Sequence, residues 1–231
     1  ALSEFGEAHL APLEHLGESS LLPAAAVLTA AGLYATLPGK FITGTGGVFS
    51  AARWVVPAVA AALIIPLALT APKRRMVYSM PRRTLMLVVI ALLSVANTGS
   101  IILLVKLIVD GHHVDGHQLI RAAIHIWCTN VLVFGLLYWQ LDSGGPLVRR
   151  SGKGRHPDFL FPQMTAPEVA PRDWQPMFFD YVYIGFTNAI AFSPTDAMPL
   201  TRSAKALMLV QSASSLLLLA MVAARAVNIL K

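Results

Sequence analysis

Apolar residues in this chain fall into five runs, 20–38, 52–71, 84–109, 118–141 and 204–229, separated by polar or proline-marked breaks. About 20 apolar residues in a helix cross the ~30 Å of bilayer hydrocarbon. Each run is long enough, or nearly so, to be a span. Pro23 and Pro38 clip the first run, and Pro57 and Pro66 sit inside the second. Neighbouring helices can satisfy the carbonyls that such prolines free, and a kink is expected there. A further apolar segment, 177–192, is too short to span and too apolar for an ordinary loop. It stops at the polar turn Ser193-Pro194-Thr195-Asp196, just ahead of the last run. The pattern predicts an all-α polytopic membrane protein of about five transmembrane helices plus one short re-entrant or interfacial helix. It divides the chain into an N-terminal four-helix region (1–141), a Pro/Gly-rich linker (142–176) and a C-terminal segment (177–231).

Composition agrees with that pattern. The 231 residues are 55% hydrophobic and 13% charged, with mean hydropathy +0.62; a soluble domain carries about 25% charge. The net charge of +6 lies in the breaks between runs, so it speaks of topology rather than of nucleic-acid binding. Lys73, Arg74, Arg75, Arg82 and Arg83 crowd the 72–83 loop, and a second basic group runs from Arg149 to Lys205. With five spans these two regions share a side, which the positive-inside rule makes cytoplasmic. Trp54 and the pair Tyr138-Trp139 are expected in interfacial aromatic belts. The acidic start (Glu4, Glu7, Glu14, Glu18) has no basic region ahead of the first run, so that run is expected to be a span and not a signal peptide. A single cysteine, Cys128, excludes an internal disulfide and a Cys-cluster metal site.

Several polar residues inside apolar surroundings are candidates for function. Irregular backbone at membrane depth must pack into protein or line water, and Ser193, Thr195 and Asp196 offer oxygen ligands suited to a hard cation. The alternative for 177–192 is an amphipathic helix on the membrane surface, with the turn capping the next helix. Thr187 and Asn188 belong to the same candidate constriction. In the last run Gln211, Ser214 and Ser215 share one face; they either line an aqueous path or pack against other helices. Asn97, Asn130 and Asn188 each need a partner in hydrocarbon, and Asn97-Thr98-Gly99-Ser100 would allow close helix approach. Asp180 falls in the first turn of the short helix, favoured by the dipole or paired with Arg149, Arg150 or Arg172. His112, His113, Asp115 and His117 form either a metal-binding loop or a plain polar turn. Nucleotide-loop, zinc-helix and nucleophile-elbow motifs are not found in the sequence, and no enzyme activity or cofactor is expected.

From about 178 to 229 the chain resembles the pore module of the two-transmembrane cation-channel superfamily. An aromatic-rich helix, Phe186-Thr187, a turn ending in Asp196, Pro199-Leu200-Thr201 and a long inner helix carry the likeness. The stretch Phe186-Thr187-Asn188-Ala189-Ile190-Ala191-Phe192-Ser193-Pro194-Thr195-Asp196 also resembles the signature of a group of bacterial multi-pass inner-membrane proteins. That resemblance implies a bacterial inner-membrane location and a degenerate pore module. Potassium filters read Thr-Val-Gly-Tyr-Gly; here Ala191-Phe192-Ser193-Pro194-Thr195 has no glycine, and Pro194 fixes φ. The charge map brings this loop in from the cytoplasm, opposite to potassium channels. The expected function is a channel-like protein conducting small cations through a homo-oligomeric pore. The alternative is a non-conducting scaffold or accessory subunit of a larger membrane complex. The partners expected are the lipid bilayer, further copies of the chain or other membrane subunits, with no nucleic acid.

Overall fold

The computed structural model describes residues 21–43, 52–69, 80–110, 115–150, 156–171, 174–191 and 197–229. It is mostly helical. The helices are α1 (Leu21–Ala35), α2 (Lys40–Thr43), α3 (Ala52–Leu69), α4 (Met80–Val109), α5 (Gly116–Leu141), α6 (Pro146–Arg150), α7 (Pro162–Thr165), α8 (Phe178–Ala191) and α9 (Arg202–Ile229). Two short strands, β1 (Phe159–Leu160) and β2 (Met198–Pro199), pair antiparallel with Phe159 opposite Pro199 and Leu160 opposite Met198.

By length and composition, three helical stretches among the described residues can cross a membrane: Arg83–Val109, Gly116–Gly144 and Arg202–Ala224. Two shorter apolar stretches, Leu21–Ala35 and Arg53–Pro66, run with them. Of the five expected spans, three are present among the described residues as helices of full spanning length, and the other two runs as these shorter apolar stretches. Helix α3 continues through both Pro57 and Pro66.

Helix α5 is the axis of the bundle, packed against α1, α4, α8 and α9. Asp115 caps its start, its side chain accepting the Gln118 N–H at 3.0 Å. A 3₁₀ turn, Asp142–Gly144, ends it; Ser143, Gly144 and Gly145 all take positive φ there. The turn brings the chain close to α4, because a Cβ on Gly145 would lie 3.2 Å from Arg83 Nε. The starts of α4 and α6 and the end of α5 thus share one end of the bundle. At the other end Tyr34, Leu37, Phe41, Leu104, Leu107 and Leu119 form a common core, and Thr36 Oγ1 lies 3.1 Å from His125 Nδ1.

The proline-punctuated stretch after α5 folds back over the bundle as a strap. Its Phe159 and Phe161 are buried and stack edge-on against Tyr138, Tyr181 and Trp174. That covering corrects the expected aromatic belt. Tyr138 is buried under Phe159 of the strap and Trp139 against Phe178 at the start of α8, whereas Trp54 is exposed, with Arg53 over its ring.

Candidate functional site

Helix α8 runs antiparallel to α5. Its Tyr181 hydroxyl donates to Asp142 at the end of α5, its Gly185 lies over Val131 and Gly135, and its Phe186 meets Trp127 edge-on. The contact is close because both helices carry glycine at it. A Cβ on Gly185 would sit 3.0 Å from Val131 O, and one on Gly135 3.1 Å from Val182 Cα. The expected approach at Gly99 does not occur, since a Cβ there would meet nothing within 4 Å. Helix α9 also runs antiparallel to α5, from Thr201 beside Asp158, past Gln211 at Tyr138, to Ser215 at Asn130. Helices α8 and α9 are therefore parallel. The chain goes in along α8, with Asn188 level with Met208–Ser212, and is back at the strap by Met198.

Uncharged polar groups fill the space between α5, α8 and α9. Gln211, fully buried, accepts from the Tyr138 hydroxyl at 2.6 Å and from Asn188 Nδ2 at 2.8 Å. Its own amide donates to Gly185 O at 2.7 Å. Asn188 Nδ2 also reaches Met208 O at 3.0 Å, and Ser212 Oγ donates to Asn188 Oδ1 at 3.0 Å. About one turn deeper, Asn130 Nδ2 donates to Ser215 Oγ at 3.0 Å and Ser214 Oγ at 3.3 Å. Asn130 Oδ1 accepts from Asn97 at 3.4 Å. Asn97, Asn130 and Asn188 so all find partners on other helices. Ser100 Oγ and Trp127 Nε1 are buried polar atoms without a hydrogen-bond partner among the described residues.

A second polar cluster, at the strap end, escaped the sequence reading. Asp142 is completely buried. Its Oδ1 accepts from Asp158 N at 2.7 Å, Phe159 N at 3.4 Å and Ser143 Oγ at 3.3 Å, and its Oδ2 from Tyr181 at 2.5 Å. Arg149 Nη1 lies 3.8 Å from Oδ2 and donates to the carbonyls of Trp139 and Asp142. It thereby offsets the negative end of α5. Asp158 in turn accepts from Ser143 N at 3.1 Å and from Thr201 Oγ1 at 2.5 Å. Thr201 also caps α9 through the Ala204 N–H. The only hint in the sequence was an aspartate immediately after a long apolar run.

The candidate residues of the sequence divide accordingly. Asn188, Gln211, Ser214 and Ser215 converge in the inter-helix network. Thr187 Oγ1 turns back to Tyr183 O and Ile184 O of its own helix. Ser193, Thr195 and Asp196 lie outside the described residues, as do His112 and His113. Of that histidine loop, Asp115 is the α5 cap and His117 is exposed. Among the described residues no three His, Cys, Asp or Glu side chains gather to hold a metal. Asp180 accepts Met177 N at 2.7 Å, while Arg149 turns to Asp142; Arg172 and the Arg150 side chain are outside the described set. Comparison with protein-family models, curated proteins and solved structures gave no match.

Proposed function

We propose that this chain is a channel-like integral membrane protein of five spans, with α8 as a re-entrant helix. Several copies would conduct small cations through a constriction formed by Ser193, Thr195 and Asp196. One observation carries the reading. Helices α8 and α9 run parallel and start at the same end, so the chain enters beside α5 and returns before its last long helix begins. That is the layout of a pore loop, in which oxygen ligands between the two helices can replace the hydration shell of an ion. Arg83, Arg149, Arg202 and Lys205 gather at that same end, which the positive-inside rule makes cytoplasmic. The location is the inner membrane of a bacterium, as the likeness of the 186–196 signature implies.

A second reading, a non-conducting subunit of a larger membrane complex, is favoured by a separate observation. Gln211 and Ser215 are fully buried and bonded within one protomer, while the outward face of α9 carries Leu209, Val210, Leu216, Leu217 and Leu219. One experiment separates the two. Purified protein in liposomes conducts cations, and Asp196→Asn and Thr195→Val change the flux, under the first reading. Absence of flux, or a monomer by mass measurement of the solubilised protein, removes the first and leaves the second.

A further inference from the structure

Asp142 is an uneconomical residue for simple stability. A negative charge buried at a helix C-terminus meets the unfavourable end of the dipole and loses its hydration. Apolar replacement of such buried charges is often neutral or stabilising. Yet Asp142 is fully covered, and the donors that satisfy it come from separate parts of the chain. Asp158 N and Phe159 N belong to the strap, Tyr181 to α8, and Arg149 to α6. Through Asp158 the same cluster reaches Thr201 at the start of α9. Directional bonds to these two linked carboxylates fix all of these elements relative to one another, which an apolar plug would not do.

The two ends of the α8–α9 connection meet at this cluster. Tyr181 lies in the first turn of α8. At the other end, β2 pairs with β1, Leu200 N donates to Asp158 O at 2.8 Å, and Thr201 donates to the Asp158 carboxylate. The ladder itself is two residues long, too short to hold register alone. We propose that Asp142, acting with Asp158, is the positioning residue of this hairpin: a clasp that sets how α8 enters and where the chain re-emerges ahead of α9. For the channel reading on which this rests, the clasp determines the spacing of the loop's two ends, and its loss alters conduction rather than assembly.

The test reads local access by thiol labelling in the full-length, reconstituted protein. Ala197, 4% exposed beside β2, becomes a reporter as Ala197→Cys in a Cys128→Ser background. Ala122→Cys, fully buried at the other end of α5, is the control. Asp142→Asn, Tyr181→Phe and Thr201→Val each raise maleimide labelling at 197 about tenfold, the opening that loss of one hydrogen bond to a charged group permits. Labelling at 122 stays at the parent rate, and Thr201→Ser, which keeps the hydroxyl, restores protection at 197. Unchanged labelling at 197 in both Tyr181→Phe and Thr201→Val overturns the proposal, and these milder variants decide it even if Asp142→Asn does not fold. Equal rises at 197 and 122 overturn it as well, because they report general loosening. Flux through the same liposomes is scored separately: labelling that responds without flux in any variant keeps the clasp and removes the channel.

Discussion

Replacing Gln211 by leucine decides whether the polar stripe of α9 serves packing or conduction. The side chains are of similar size, so the change removes hydrogen bonds without opening a large cavity. Three are lost: from Tyr138 at 2.6 Å, from Asn188 at 2.8 Å and to Gly185 O at 2.7 Å. Interhelical bonds in membrane proteins average ~0.6 kcal/mol and reach about 1.7 kcal/mol. The variant should therefore lose about 2–5 kcal/mol, the upper part of the range reflecting a Tyr138 hydroxyl left buried without its acceptor. Equilibrium unfolding in mixed micelles, followed by circular dichroism, measures it.

A double-mutant cycle assigns the loss to the network. Tyr138→Phe alone should cost about 0.6–1.7 kcal/mol, and should cost nothing or restore stability once Gln211 is leucine, because the two share one bond and the orphaned hydroxyl is then gone. A residue lining water behaves oppositely: leucine there leaves stability within about 0.5 kcal/mol of the parent and changes flux. That pair of results, or independent losses in the cycle, would refute the packing assignment.

Three further outcomes follow from the geometry. Gly185→Val should destabilise by about 1–3 kcal/mol, because its Cβ would meet α5 backbone at Val131 O, 3.0 Å away, and that backbone cannot give way; Gly185→Ala should cost less, helped by ~1 kcal/mol of helix propensity. Asp115→Ala should cost about 1 kcal/mol by removing the α5 cap, and added zinc should shift the melting temperature of neither protein. Arg149→Met should cost about 3 kcal/mol in unfolding titrations, since it leaves the fully buried Asp142 carboxylate without its cation but with its other donors.

What the sequence revealed was what depends on local pattern. Unbroken apolar runs marked α4, α5 and α9. Asn97, Asn130 and Asn188 were legible as groups needing partners, though not which partners. What stayed hidden depends on contacts far apart in the chain. Tyr138-Trp139 near the end of an apolar run looks like a membrane-interface pair until Phe159 and Phe178 pack over it. The helix-contact glycines are Gly135 and Gly185, not Gly99, and only the pairing of α5 with α8 distinguishes them. Asp142 draws donors from residues 16, 17 and 39 positions away, a set that no spacing rule assembles.

The two polar clusters bear on the proposed re-entrant place of α8. A helix lying on the membrane surface turns a charged face to water and an apolar face to lipid. The outward face of α8 is instead Phe179, Tyr183, Phe186 and Ile190, all exposed and nearly free of polar groups. Its inward face carries Tyr181, Gly185 and Asn188, consumed by Asp142, α5 and α9. A helix polar toward protein and apolar outward suits an upright place among spans. There its last carbonyls need internal partners, since lipid supplies none. Asn188 O already has one in Ser212 Oγ at 3.3 Å. Where such a helix ends within the bilayer, the next carbonyls impose the same demand, and water, a cation or a neighbouring subunit can meet it. The channel reading invokes the first two and the subunit reading the third, which is why flux and oligomer mass together are the deciding measurements.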